Sequence, residues 1–273
     1  MAREVTRPAG RLGPPDAPAA RARTVEPGNA DVPAVAPGTM RPGTEREQLV
    51  RPQERDIAAF HAAFLVIAAA ALTLRGDVDH GIVLLTLVVV YHLGSVGLAS
   101  SMGHTGWLRW WGFGAVLSLL MVLPDAVLVE GLGVLRFPPD GVPDLGPVTL
   151  HMAGLWTIPV VLIVATAEAV AHRRGDAAAA VTAVLAAAVV FGVAEATLTR
   201  LPVWEPVGVT TFGGVAAYIL PAELLLGLLV FAAARWTRTG SVAVLVPVAV
   251  LVALAYTGAA CVSWLVIERG LLA

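Results

Sequence analysis

Seven times along this chain an apolar run reaches about 18 residues or more, the length at which a helix crosses roughly 30 Å of hydrocarbon. The runs are 57–74, 81–99, 111–129, 152–171, 177–198, 213–234 and 242–267. Inside a bilayer every backbone donor and acceptor must be satisfied by protein, which leaves only helices and closed barrels. These runs are too long, and alternate too little, for barrel strands. The sequence therefore predicts an all-α, polytopic membrane bundle of seven helices over residues 51–273. Composition agrees, because only 14% of the 273 residues are charged, against about 25% in ordinary soluble domains.

Residues 1–50 differ in character, with Pro, Ala, Gly and Arg prevailing over large apolar side chains. A segment of that kind cannot bury enough surface to offset its ordering entropy, so it reads as a disordered tail. It also lacks the continuous apolar stretch of a signal peptide. Arginines orient the bundle. Near the helix ends on the tail's side lie Arg51, Arg55, Arg109, Arg173, Arg174, Arg235 and Arg238, and on the other side Arg75, Arg136, Arg200 and Arg269. An excess of basic residues marks the cytoplasmic face. The expectation is a multi-pass protein of the cell membrane, amino terminus inside and carboxyl terminus outside.

Several chemistries are set aside by what is missing. A net charge of −2 without a basic aromatic surface gives no reason to expect nucleic acid. Cys261 is the single cysteine, so neither an internal disulfide nor a thiolate cluster can form. All 18 basic residues are arginine, and a retinal Schiff base needs a lysine amine. No glycine-rich phosphate loop, nucleophile elbow or dense acidic metal motif is present. Neither cofactor nor metal is expected.

The acids remain. Asp125 follows Pro124 near the outer end of the third run, and Glu195 occupies the matching depth of the fifth, in "FGVAEATLTR". Glu223 falls near the middle of the sixth run, in "YILPAELLLGLLVF", two residues after Pro221. A carboxyl at bilayer depth costs at least a few kcal/mol and normally faces a cavity or a partner. Held away from water it favours the neutral form, ready to donate. Two such acids side by side divide into one that keeps its proton and one that is charged, the arrangement acid–base chemistry uses. The structural alternatives are a neutral Glu223 that glues helices together and an Asp125 and Glu195 that reach interfacial water towards Arg136 or Arg200.

Other polar and aromatic residues are candidates for contact with a ligand. His151 and Trp156 open the fourth helix, Trp156 as binding wall or as interface anchor. Tyr91 and His92 lie within the second, where the imidazole needs a partner, either a buried acid or a proton relay. Tyr218 and Trp156 offer ring faces to a cation. Glu168 and His172, four apart, read as a surface pair, and Trp107, Trp110 and Trp111 as an aromatic belt.

Two stretches resemble known membrane enzymes. "VEGLGVLRFPPDGVPDLGPVTL" is similar to the Glu, Leu-Gly-Val, aromatic, Leu-Gly-Pro pattern of integral-membrane carotenoid hydratases. "LPAELLLGLLVF" resembles the Pro-x-Glu-Glu helices of heterodimeric-type lycopene cyclases, with Leu224 in place of the second Glu. Both families protonate polyene or isoprenoid double bonds with carboxylic acids. The resemblance implicates Glu130 and Glu223, a hydrophobic isoprenoid-like substrate, and acid-initiated cyclisation or hydration in the bilayer. A proton-coupled transporter and a non-catalytic scaffold or sensor are the alternatives, although no inverted halves of the transporter kind are detected.

Overall fold

The apolar runs do become helices, with ends set by local punctuation that hydropathy alone does not register. The computed structural model describes residues 42–271. Its helices in chain order are α1 (Pro42–Leu74), α2 (His80–Ser101), α3 (Thr105–Leu120), α4 (Val122–Ala126), α5 (Met152–Leu155), α6 (Thr157–Arg174), α7 (Asp176–Leu198), α8 (Ile219–Thr237) and α9 (Leu245–Val266). A π-helical turn extends α4 over Val127–Gly131 and another extends α9 over Ile267–Leu271. Among the described residues seven segments are long and apolar enough to cross a membrane: Pro52–Leu74, His80–Ser101, Thr105–Gly131, Met152–Arg174, Asp176–Leu198, Ile219–Thr237 and Val242–Gly270. The chain is an all-α bundle, and by helix length and hydropathy a membrane protein.

Two boundaries differ from expectation. The first helix begins at Pro42, so residues 42–50 are helical rather than part of a disordered tail. Proline is favoured at the first helical position, and the Glu, Arg, Gln and Leu that follow are strong helix formers. The rest of the expected tail, residues 1–41, lies outside the described residues. The sixth span begins at Ile219, not at 213, because Gly213 and Gly214 adopt φ of 61° and 94° in a turn that no helix tolerates. Glu223 therefore sits in the second turn of α8 rather than at mid-span.

The two long connections, 132–151 and 199–218, lie on one side of the bundle and share a plan. Each holds a short strand, then a tight β-hairpin, then a helix start. The strands are β1 (Leu135–Arg136), β2 (Asp144–Leu145), β3 (Val148–Thr149), β4 (Glu205–Pro206), β5 (Thr211–Phe212) and β6 (Val215–Ala216). Hairpin β5–β6 and the start of α8 each follow hairpin β2–β3 and the start of α5 by 67 residues. Strands β1 and β4, the corresponding elements, pair with each other antiparallel: Leu135 opposite Pro206 and Arg136 opposite Glu205. The first residue of each strand thus faces the second of the other, the self-complementary contact of a local two-fold axis. The unit of helix, strand, hairpin and helix occurs twice in the same orientation, a repeat that a search for inverted halves passes over.

Interhelix packing relies on small residues. Ala179, Ala183 and Ala187 form a fully buried stripe on α7, and Gly227 of α8 lies against it. A Cβ on Gly227 would come within 2.8 Å of the Ala183 carbonyl oxygen and closer still to the Ala187 methyl. Gly227→Val is expected to lower stability by about 1–3 kcal/mol through overpacking, whereas Gly258→Ala, with open space around it, is not. Thermal unfolding in micelles checks the pair.

On the side away from the hairpins, Glu168 is buried and accepts from Arg235 Nη1 at 3.3 and 3.4 Å, with Arg238 and His172 each at 3.9 Å. Arg235 also reaches Asp176 at 2.5 Å, and Glu54 of α1 receives His172 at 3.1 Å and Arg173 at 2.5 Å. Of the expected Glu168–His172 surface pair, His172 is exposed beside the carboxylate, whereas Glu168 is instead the buried centre of a network that joins α6, α7 and α8, because the last turn of α8 brings Arg235 onto that face. The expected aromatic belt is likewise corrected. Trp107 is fully buried beside Ile57, Ala99 and Val161, and Trp111 donates to His92 Nδ1 at 3.0 Å, so both rings brace helices rather than the membrane interface.

Candidate functional site

Under the paired loops the bundle encloses a cavity of about 450 Å³. Its walls come from α1, α2, α4, α5, α6, α7, α8 and α9, and its roof from Leu135, Phe137, Trp204 and Pro206 of the two connections. Nearly all of the lining is apolar, yet three carboxyl side chains belong to it: Asp125, Glu195 and Glu223. Sequence reading placed them on three different helices, and the fold brings them together.

Local structure explains each position. Asp125 lies between Pro124, which contributes no N–H, and the π-helical turn Val127–Gly131; irregular turns of this kind occur often at functional sites. Its Oδ2 accepts from the Trp156 indole N–H at 3.4 Å. Glu195 lies one turn from the end of α7, partly buried and within hydrogen-bonding reach of Trp204. It is near enough to Asp125 and to Glu223 to act electrostatically on both. Glu223 is 4% exposed, and its Oε2 is without a hydrogen-bond partner among the described residues. A buried polar atom left unpaired is costly, and here it belongs to a residue that lines the cavity.

Aromatic rings complete the wall. Trp156 stands 5.6 Å from Phe191 and 5.7 Å from Tyr256, centroid to centroid, both inclined. Tyr218 is buried beside the acids; burial, and then the neighbouring Glu195, Asp125 and Glu223, push its phenol well above the usual tyrosine range, so it stays neutral. Trp156, read from sequence as binding wall or interface anchor, and Tyr218 both line the cavity. Tyr256, Phe191 and Trp204 were missed. Tyr256 carries the one phenol in the seventh run, and a buried hydroxyl that needs a partner was the available signal. Trp204 sits in a connection that, like the other, carries prolines and an acid.

Four expected residues are elsewhere. Glu130 is exposed on the π-helical turn beyond Asp125, since the widened turn carries it past the packed walls. Tyr91 is fully buried between α1 and α2, its hydroxyl 3.1 Å from His61 Nε2 and its ring 5.1 Å from Phe64. His92 Nε2 donates to the Gly154 carbonyl at 3.2 Å while Nδ1 accepts from Trp111, so it bridges α2, α3 and α5 rather than an acid. His151 is sealed in the loop layer, with Nδ1 3.2 Å from Asp140 Oδ2, an oxygen that also accepts from Thr149 at 2.7 Å.

The His151 network has a pH signature. Burial pushes the imidazole down to about 4, with Asp140 pulling upward and His80 adding to the depression. The unfolded chain binds that proton near 6.5, so the network's contribution is intact above about 6.5 and is lost as pH falls towards 4. Amide exchange in the Asp144–Thr149 hairpin, corrected for its intrinsic rate, is expected to accelerate between pH 6.5 and 5 in the native chain and not in His151→Gln.

Every lining residue lies in the loops or in the loop-side half of its helix, as with Leu162 on α6, Val190 on α7 and Glu223 on α8; Tyr256 marks the midpoint of the seventh span. Among the described residues no group of three or more His, Cys, Asp or Glu is arranged to hold a metal ion. Residues 122–267, more than half of the chain, match the family described as a domain of unknown function, DUF6989. That stretch includes all three cavity carboxyls, Trp156, Tyr218 and Tyr256. No curated protein and no solved structure matches the chain.

Proposed function

The chain belongs to the DUF6989 family, and we propose that it is an integral-membrane enzyme of isoprenoid metabolism that protonates a polyene to start its cyclisation or hydration. The observation that carries the reading is the placement of Asp125, Glu195 and Glu223 in one apolar, aromatic-walled cavity. A site for a charged or sugar-like ligand would need several polar groups along its length, whereas here polarity is confined to one cluster. In the proposed reaction Glu223, whose side chain lines the cavity and whose Oε2 is without a hydrogen-bond partner among the described residues, transfers its proton to an alkene carbon. Ring faces of Trp156 and Tyr256 stabilise the cation that forms, and the closed roof keeps bulk water from quenching it early. The cycle ends when Asp125 or Glu195 takes a proton from the adjacent carbon, which gives a ring, or from an attacking water, which gives an alcohol.

The reading also sets the protein in the cell membrane with the amino terminus cytoplasmic and the hairpin side outside, on the arginine asymmetry. The resemblance to carotenoid hydratases and lycopene cyclases points the same way, but Glu130 has no part in the proposed reaction. A carrier needs a passage to both faces, and the cavity keeps to one half of the bundle.

The test is expression of the full chain and of Asp125→Asn, Glu195→Gln and Glu223→Gln in cells that accumulate linear polyenes, with mass spectrometry of the extracted lipids. A new product of unchanged mass, or of mass raised by one water, is expected with the native chain and lost in the amide variants. Product unchanged in all three variants would sink the proposal.

A further inference from the structure

The residues that line the cavity are not equally covered. Most are buried or partly buried, and the exposed ones are Leu65 and Ala69 on α1 with Val193 and Thr197 on α7. Leu65 is 51% and Val193 61% exposed while each borders the interior space. A residue that faces cavity and exterior at once sits at a mouth, and all four belong to two helices. α1 and α7 both pack on α6, whose Ile158 and Leu162 line the cavity, and share no substantial packing with each other. None of the four mouth residues is on a loop.

The roof over this space is fastened. Strands β1 and β4 pair, the Val207 amide donates to the Val134 carbonyl at 2.8 Å, and the Arg136 guanidinium donates through Nε to Glu205 at 3.1 Å. Glu268, at the end of the seventh span, accepts from the Thr210 amide and hydroxyl at 3.1 Å and ties the second loop to α9. At 1.5 Å per residue, Leu65 is about 14 Å below the loop-side end of α1, and Val193 about 8 Å below that of α7. Leu65, Ala69 and Val193 thus lie within the apolar spans Pro52–Leu74 and Asp176–Leu198 rather than in the connections.

We propose that the cavity fills sideways from the bilayer, through the gap between α1 and α7, with one end of an uncharged, chain-shaped isoprenoid whose remainder stays in lipid. The ligand class rests on the function proposed above; the side entrance rests on the exposure pattern. Size agrees with a terminus rather than a whole long polyene, since about 450 Å³ is near the low end of ligand pockets, roughly 300–1,000 Å³. Energetics agree as well. A chain that passes from lipid to an apolar wall gains little, because lipid tails are as apolar as leucine. Preference for the cavity must come from the inner cluster of carboxyls and rings, which an end group reaches.

The test is photocrosslinking of the full chain in phosphatidylcholine vesicles with a diazirine-bearing twenty-carbon isoprenoid alcohol, the adducts mapped by mass spectrometry. Adducts at Leu65, Ala69, Val193 and Thr197 are expected to exceed those at Leu185 and Leu254, which are as exposed at 61% and 64%, by about tenfold, the ratio for 1.4 kcal/mol of preference. Ala69→Trp with Val193→Trp is expected to abolish adducts at Phe191 and leave those at Leu254, with unfolding temperature as the control for folding. Even labelling of all exposed helix faces, or adducts confined to the loops, overturns the entrance. Equal enrichment with a diazirine-bearing phosphatidylcholine makes ordinary lipid the occupant and overturns the ligand assignment. Adducts that persist while the amide variants keep full product defeat the acid chemistry alone; adducts elsewhere with amide-sensitive product defeat the side entrance alone.

Discussion

Glu223→Gln is expected to lower turnover of the polyene by roughly 10²–10⁴-fold, the usual contribution of a positioned proton donor, with little change in folding. The amide keeps the shape of the acid and can still hydrogen-bond, but it has no proton to give to carbon. Among the three cavity carboxyls, Glu223 is singled out because Asp125 already accepts from Trp156 and Glu195 has Trp204 beside it, while Glu223 Oε2 is unpaired. Glu223→Asp, which restores the acid about one bond shorter, is expected to recover part of the rate. Trp156→Phe keeps the ring and removes the N–H, so it acts on the position of Asp125 and is expected to cost less than either amide substitution. Initial rates on vesicle-dissolved substrate, with thermal unfolding of each variant as the folding control, decide between these outcomes. Equal small losses for all three carboxyls would remove Glu223 from the donor role.

Arg235→Leu is expected to be the most destabilising single change on the opposite side, by about 3–5 kcal/mol, the cost of leaving a buried ion without its partner. Glu168 would keep only the more distant Arg238 and His172, each at 3.9 Å, and Asp176 would lose its tie to α8. Removal of the pair together, as Glu168→Leu with Arg235→Leu, is expected to recover most of that loss, because an apolar pair of similar volume carries no desolvation penalty. Unfolding by heat or by denaturing detergent in mixed micelles measures both. A double variant as unstable as the single would show that the network is held for more than charge balance.

How much of this was legible beforehand follows from length scale. A membrane helix announces itself over about 20 residues of uniform hydropathy, so the number and order of the spans were readable, and the depth of Asp125 and Glu195 with them. Glu223 was placed too deep because the hairpin residues Gly213–Ala217 are as apolar as the helix that follows, and hydropathy does not register a turn. His92 and Glu168 were misjudged for a different reason. Their partners, Trp111 with Gly154 and Arg235 with Arg238, come from other helices, and spacing within one helix says nothing about which neighbour a face meets. Glu130 and Asp125 are only five apart, yet one is exposed and the other lines the cavity; the π-helical turn that separates them leaves no pattern in composition.

The repeated unit of helix, strand, hairpin and helix bears on how a guest sits. Asp125 and Glu195 each precede the first residue of their strand by ten positions, and Trp156 and Glu223 each follow the last residue of the hairpin by seven. A frame with two equal halves would accept an elongated molecule head-first or tail-first with the same free energy. Here one half offers an indole N–H where the other offers a carboxyl, and Tyr218 lines the cavity where its counterpart His151 does not, so the space has a direction. In the proposed reaction, regiochemistry would be set by where the two copies have ceased to match.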